Sequence, residues 1–375
     1  MAVGLYIHVP FCHTRCHFCA FYVRIHREDW AQAYLTALQR EIRLHAERGT
    51  LAGREVETVY FGGGTPTTLA PSQLMMVLSW IQSAFELVSH PEVTVEAHPD
   101  TVTADGLTQL RRTGFTRISL GLQSADRQEL LRIGRRTEDL PIQQVVEMVR
   151  SAGFRSVNLD AIYGLPGQTH AQWMNSMDAI IRCAPDHVSC YALTIEEHSH
   201  LYLDQKRGDM APLDLDLQNE FEDAAAARLT KAGFERYEIS NFARPDHACR
   251  HNLLYWQDGD YLGLGPSAQS YVNGVRFGNL ADLDAYDRSL TAGQFAISES
   301  VPLSAQQRRR EALIFGLRQT TGLDKTAVQL GDNDAEFAAQ IARFIKDGLL
   351  EEQAGRIRLT REGRRFADSV AVALL

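Results

Sequence analysis

The chain has 375 residues, 45% apolar and 23% charged, the profile of an ordinary globular protein with room for about two domains. Lys and Arg number 38 against 47 Asp and Glu, so the net charge is −9, which argues against a broad nucleic-acid footprint. No run of about 18 apolar residues and no basic leader ahead of an apolar stretch occurs, so neither a membrane span nor a secretory signal is expected, and the cytoplasm is the expected compartment.

Short β-rich apolar runs alternate with longer amphipathic stretches. Strands are predicted at Gly4–His8, Thr58–Phe61, Val93–Glu96, Arg117–Leu120, Val157–Ile162 and His187–Ala192. Helical patterns lie between them, such as Trp30–Glu47, Gln73–Leu87 and Leu140–Ala152. This alternation predicts an α/β fold with a parallel sheet, and six units in about 200 residues suit a partial (β/α)6 barrel. The composition changes after about residue 285. Ser304–Leu317 and Ala335–Gly348 read as helices, Leu349–Glu351 and Arg356–Leu359 as two short strands, and Arg361–Leu375 as a last helix. The expected domains are therefore 1–285 and a small α+β, winged-helix-like unit at 286–375. The acidic balance favours a docking or lid role for that unit over DNA binding.

Half of the six cysteines fall within eight residues: Cys12, Cys16 and Cys19, spaced C-x3-C-x2-C. Three thiolates in one loop suit a [4Fe-4S] cluster with one iron left for an outside ligand. Zinc would want four closed ligands, or three and a water, and His13 and His17 would crowd it. A disulfide framework does not suit so long and cysteine-poor a chain, and three inert buried thiols are the bland alternative.

The second strand runs into Phe61-Gly-Gly-Gly-Thr-Pro66, where glycines allow close backbone approach and offer N–H donors. Glu96 and Gln123 end the next strands, and Asp160 precedes Tyr163-Gly-Leu-Pro166. Each polar residue is costly to bury alone, so together they point to one mouth. His98, His187 and His198 read as surface or core residues, and Cys183 and Cys190 as structural.

These motifs resemble those of radical S-adenosylmethionine (SAM) proteins of the HemN/HemW group, over nearly the whole chain. The resemblance implies three irons on Cys12, Cys16 and Cys19, with SAM chelating the fourth. It implies SAM contacts from Tyr6, Phe18, Gly63, Gly64, Thr65, Glu96, Gln123, Arg135 and Asp160, with Arg136 as the substitute for its neighbour. An arginine fork suits a carboxylate, and acidic residues suit ribose hydroxyls. HemN-type dehydrogenases carry a cysteine where Phe21 stands and a long N-terminal extension; here eleven residues precede Cys12, which favours the HemW type.

His251-Asn-x-x-Tyr-Trp256 resembles the HemW signature associated with heme binding. The residues alone read as a satisfied barrel histidine beside core aromatics; the resemblance implies heme ligation by His251, with Cys249 a weaker candidate. Gln269 stands where relatives often have histidine. The expected function is a heme chaperone that passes heme to an acceptor protein at the membrane, and a homodimer is compatible with it. The rival is an enzyme that cleaves SAM to a 5′-deoxyadenosyl radical and acts on coproporphyrinogen III or a methylation substrate.

Overall fold

The computed structural model describes residues 3–137, 141–212, 214–326 and 335–375. Six parallel strands, Val3–Val9, Val56–Gly63, Leu87–Ala97, Arg117–Gln123, Ser156–Tyr163 and His187–Ala192, lie side by side in chain order. Helices between them, such as Glu28–Glu47, Pro71–Ala84 and His170–Arg182, cover the outer face. The expected partial (β/α)6 barrel is the observed one. Leu140, the expected start of one helix, lies outside the described residues; that helix is described from Ile142 to Ser151.

Period-two alternation decides what each strand buries. Val3, Leu5, Ile7 and Val9 belong to the main hydrophobic core, as do Val93, Val95 and Ala97, Ile118 and Leu120, and Val157, Leu159 and Ala161. The alternate positions carry Tyr6, Glu96, Ser119 and Asp160, whose side chains turn to the barrel interior. The fourth strand has a register break between Gly121 and Gln123, and Gln123 sits at φ 67°. Such a bulge re-aims a side chain, and here it keeps Gln123 facing inward.

The sheet extends beyond six strands at both edges. Asp260–Leu264 adds in parallel to the first strand, followed by antiparallel Gln269–Val272, Val275–Asn279 and Ile297–Pro302. Asn241–Ala243 and Glu235–Arg236 add antiparallel to the sixth strand. The sheet therefore continues past the composition change at residue 285, as far as Pro302. A buried carboxylate holds this extension to the first helix: Glu41 accepts from Gly265 N at 2.7 Å, Asn279 Nδ2 at 2.6 Å and the Tyr286 hydroxyl at 2.6 Å.

The C-terminal unit has its own core of Leu313, Phe337, Ile341, Leu350, Ile357 and Val370, among others. Its helices Ala305–Gly316 and Ala335–Lys346 precede a wing of Leu350–Gln353 and Arg356–Leu359. The expected single last helix is two, Arg361–Arg365 and Ala367–Leu374, because Phe366 leaves helical geometry at φ −111°, ψ 19°.

Candidate functional site

Where the parallel strands end, the barrel holds a cavity of about 870 Å3. The loop after the first strand brings Cys12, Cys16 and Cys19 to its wall as free thiols. Local pairing shapes that loop: Phe11 and Cys12 run beside Arg24 and Ile25, and His17 N donates to Ile133 O at 2.8 Å. Burial pushes the Cys12 thiol up to about 11 and raises Cys19, so these sulfurs become thiolates when a cation draws them.

Phe18, Gly63, Gly64, Thr65, Glu96, Gln123, Arg135 and Asp160 line the same cavity. Arg135 is nearly buried, with Nη1 3.7 Å from Cys16 Sγ and Nη2 bonded to Gly121 O. Its Nε is buried without a partner. Arg136 also reaches the cavity, but as an exposed residue. Glu96 accepts from the Tyr60 hydroxyl at 2.7 Å, and burial lifts its carboxyl to about 7. Asp160 is raised by burial too, against bonds from Asn158 Nδ2 at 2.6 Å and the Ser119 hydroxyl at 3.3 Å.

The glycine run serves packing before it serves a ligand. A Cβ on Gly64 would lie 2.5 Å from Phe11 O, and one on Gly63, at φ 106°, 2.7 Å from the His8 ring. The expected free N–H donors are not free. Gly64 N donates to Val9 O at 2.8 Å, Thr65 N to Phe11 O at 2.7 Å, and Gly63 N to the Glu96 carboxyl. The loop is laced to the first strand and the cysteine loop, and the Thr65 hydroxyl lies 3.5 Å from Cys12 Sγ.

Two predicted residues stand apart from this cavity. Tyr6 lines a neighbouring cavity of about 510 Å3, its hydroxyl 3.2 Å from His8 Nδ1. His251 lines neither. It sits on the short helix Arg250–Trp256, 1% exposed, with Nδ1 2.7 Å from the Thr58 hydroxyl and Nε2 2.8 Å from the Tyr255 hydroxyl. Glu92 caps that helix, accepting from Arg250 N and His251 N at 3.1 and 3.0 Å. Cys249 is buried with its thiol on Glu92 and pushed up to about 12 by burial. Both arrangements are those of interior packing.

Residues 6–180 match the model of the radical SAM superfamily, and 303–366 that of the HemN C-terminal domain. Heme chaperone HemW of Mycobacterium tuberculosis (strain CDC 1551 / Oshkosh) is 35% identical over 99% of this chain and 94% of its own. The chain belongs to the HemW group of the radical SAM superfamily. HemW of Escherichia coli (strain K12) is 30% identical over 98% of this chain and 97% of its own. The solved structure of coproporphyrinogen III oxidase (HemN) from Escherichia coli, a radical SAM enzyme, superposes with a TM-score of 0.87 at 26% identity. It covers 99% of this chain and 89% of the HemN chain.

Membership of the radical SAM superfamily implies a [4Fe-4S] cluster and SAM, and the cavity of this HemW-group chain fits both. Its donor set is three thiols at one mouth, and a guanidinium with an unused buried N–H stands beside Cys16.

Sequence reasoning missed the residues that hold the polar set in place. Tyr60 holds Glu96, Asn158 and Ser119 hold Asp160, and the Tyr191 hydroxyl reaches Gln123 Oε1 at 3.4 Å. The signal was available. Each is on an inward position of the same alternating strands. His98, expected as surface or core, lines the cavity as well, and burial lowers it to about 3, so it is neutral.

Proposed function

We propose that this protein is a heme chaperone that holds a [4Fe-4S] cluster on Cys12, Cys16 and Cys19, binds SAM beside it, and passes one bound heme to an acceptor protein. The observation that carries this reading is the full-length likeness to proteins named heme chaperone HemW, together with three free thiols and a buried arginine on one cavity. A bound cluster and SAM supply one-electron chemistry. The protein's own residues bind and orient. Arg135, with its spare Nε–H, suits the SAM carboxylate. Glu96 and Asp160 suit its amino group and ribose hydroxyls, Gln123 and Thr65 add polar contacts, and Phe18 and the Gly63–Gly64 surface pack on it. Tyr6 reaches this set only through Glu96's surroundings: a Cβ on Gly62 would touch Tyr6, Tyr60 and Glu96 together.

All six cysteines are free thiols, which supports a reducing compartment such as the cytoplasm. We place the acceptor at the membrane and leave a homodimer as the assembly to test. The test is anaerobic reconstitution followed by titration with heme and SAM. Stoichiometric heme binding, and loss of cluster absorbance in each single Cys→Ala variant of the triplet but not in Cys190→Ala, is the expected result. Absence of heme binding by the reconstituted wild type sinks the chaperone reading.

The close superposition on HemN favours a second reading, a SAM-cleaving enzyme. It predicts substrate-dependent SAM turnover and decarboxylation of coproporphyrinogen III. The chaperone reading predicts no decarboxylation.

A further inference from the structure

We propose that the heme's tetrapyrrole ring lies in the second cavity, against aromatic walls, and that His251 is a bolt of the barrel floor rather than the iron ligand. This placement rests on the heme-chaperone reading and adds the seat of the ligand to it. The two halves of the His251–Trp256 motif have different surroundings, although His251 Nε2 touches the Tyr255 hydroxyl at 2.8 Å. His251 turns into the barrel, where both ring nitrogens are engaged and its ring stacks on Tyr60 with centroids 5.1 Å apart. A Cβ on Gly4 would lie 3.1 Å from that ring, so the first strand closes the ring's Gly4 side. Tyr255 and Trp256 instead line the cavity of about 510 Å3, within the usual few hundred to 1,000 Å3 of small-molecule sites.

The chemistry of this cavity is specific. Tyr255, Trp256, Tyr261, Phe315 and Phe21 wall it, and flat π-systems are what aromatic faces and edges bind. His8 lines it too, but both its ring nitrogens are engaged, by the Tyr6 hydroxyl at 3.2 Å and Tyr22 O at 3.1 Å. Trp256, whose indole N–H is buried without an acceptor, is one of these walls. Ala20 and Phe21, from the cysteine loop, line both cavities, so the ring would sit across that loop from SAM. Phe315 comes from the C-terminal unit, which thereby supplies one wall of the cavity. Trp256 joins the two units: its carbonyl accepts from Gln319 at 3.1 Å, and the Arg318 guanidinium lies 4.6 Å from its ring centroid.

The test is absorbance titration of the reconstituted full chain with hemin and, separately, with iron-free protoporphyrin. The wild type should bind both, within about tenfold of each other, because ring faces rather than iron ligation hold them. Gln269→Trp, which fills the cavity from an exposed wall position, should weaken both by about tenfold or more while cluster absorbance and the unfolding midpoint hold. Should that variant lose its cluster, Phe315→Ala decides, with the same loss expected. His251→Asn should keep hemin affinity and the position of the Soret band. Undiminished binding by the cavity variants, hemin binding without protoporphyrin binding, or a Soret shift in His251→Asn would each overturn the placement. A wild type that binds neither ligand would instead remove the chaperone reading, and the occupant with it.

Discussion

The Tyr60 hydroxyl donates a 2.7 Å hydrogen bond to Glu96, and the Tyr60 ring clusters with those of Tyr6 and His251, all three centroid distances lying between 5.1 and 6.5 Å. Through its contact with His251, this side chain ties an acidic group of the main cavity to the helix that floors the barrel. The bond favours the charged carboxylate against burial, which lifts Glu96 to about 7.

Tyr60→Phe removes that bond and moves Glu96 further up, so less carboxylate is present at neutral pH. SAM affinity should fall about 3- to 10-fold at neutral pH and recover in part under alkaline conditions. Calorimetric titration at both pH values checks it, and an unchanged affinity at neutral pH would remove Glu96 from the SAM site.

Arg135→Lys keeps a positive charge beside Cys16 but loses the planar fork and its spare Nε–H. The cluster should assemble normally, and SAM should bind about 10- to 100-fold more weakly. Equal SAM affinity in the variant would move the carboxylate contact to Arg136 or elsewhere.

Gly64→Ala sets a methyl 2.5 Å from the Phe11 carbonyl oxygen, backbone that has no rotamer to escape into. Overpacking of this kind costs about 1–3 kcal/mol. Chemical denaturation should show that loss, and the cluster yield should drop because Phe11 leads directly into Cys12. Gly53→Ala, whose Cβ meets nothing within 4 Å, separates crowding from left-handed strain, since Gly53 lies at φ 71°.

Glu41 carries a pH dependence of its own. Burial raises its carboxyl from 4.5 to about 7, so the folded protein holds that proton more tightly than the unfolded chain. The sign follows: this group's contribution is fully present below about 4.5 and is lost as pH rises through about 7. The loss is at most about 3 kcal/mol. Denaturation at pH values across this window should give a falling stability in the wild type and a flatter profile in Glu41→Gln.

Much of the barrel was legible because period-two alternation is a local property. Val3, Leu5 and Ile7 alternate with Gly4, Tyr6 and His8, and either set can face only one way. The cavity residues were legible for the same reason: Glu96 and Asp160 are polar interruptions in apolar strands. The strands added at the edges were not. Asp260–Leu264 joins the first strand from more than 250 residues away, and no local pattern records that pairing.

By itself the sequence determined the chemistry: three closely spaced thiols, polar residues interrupting apolar strands, and a glycine run that allows close backbone approach. Spacing and alternation act over a few residues, so they survive in one dimension. Only the tertiary structure decided that the glycine N–H groups are spent on neighbours, that Tyr6 faces the second cavity, and that His251 is enclosed with both nitrogens bonded. Those outcomes depend on contacts between residues such as Thr58 and His251, which packing brings together across nearly 200 positions of chain.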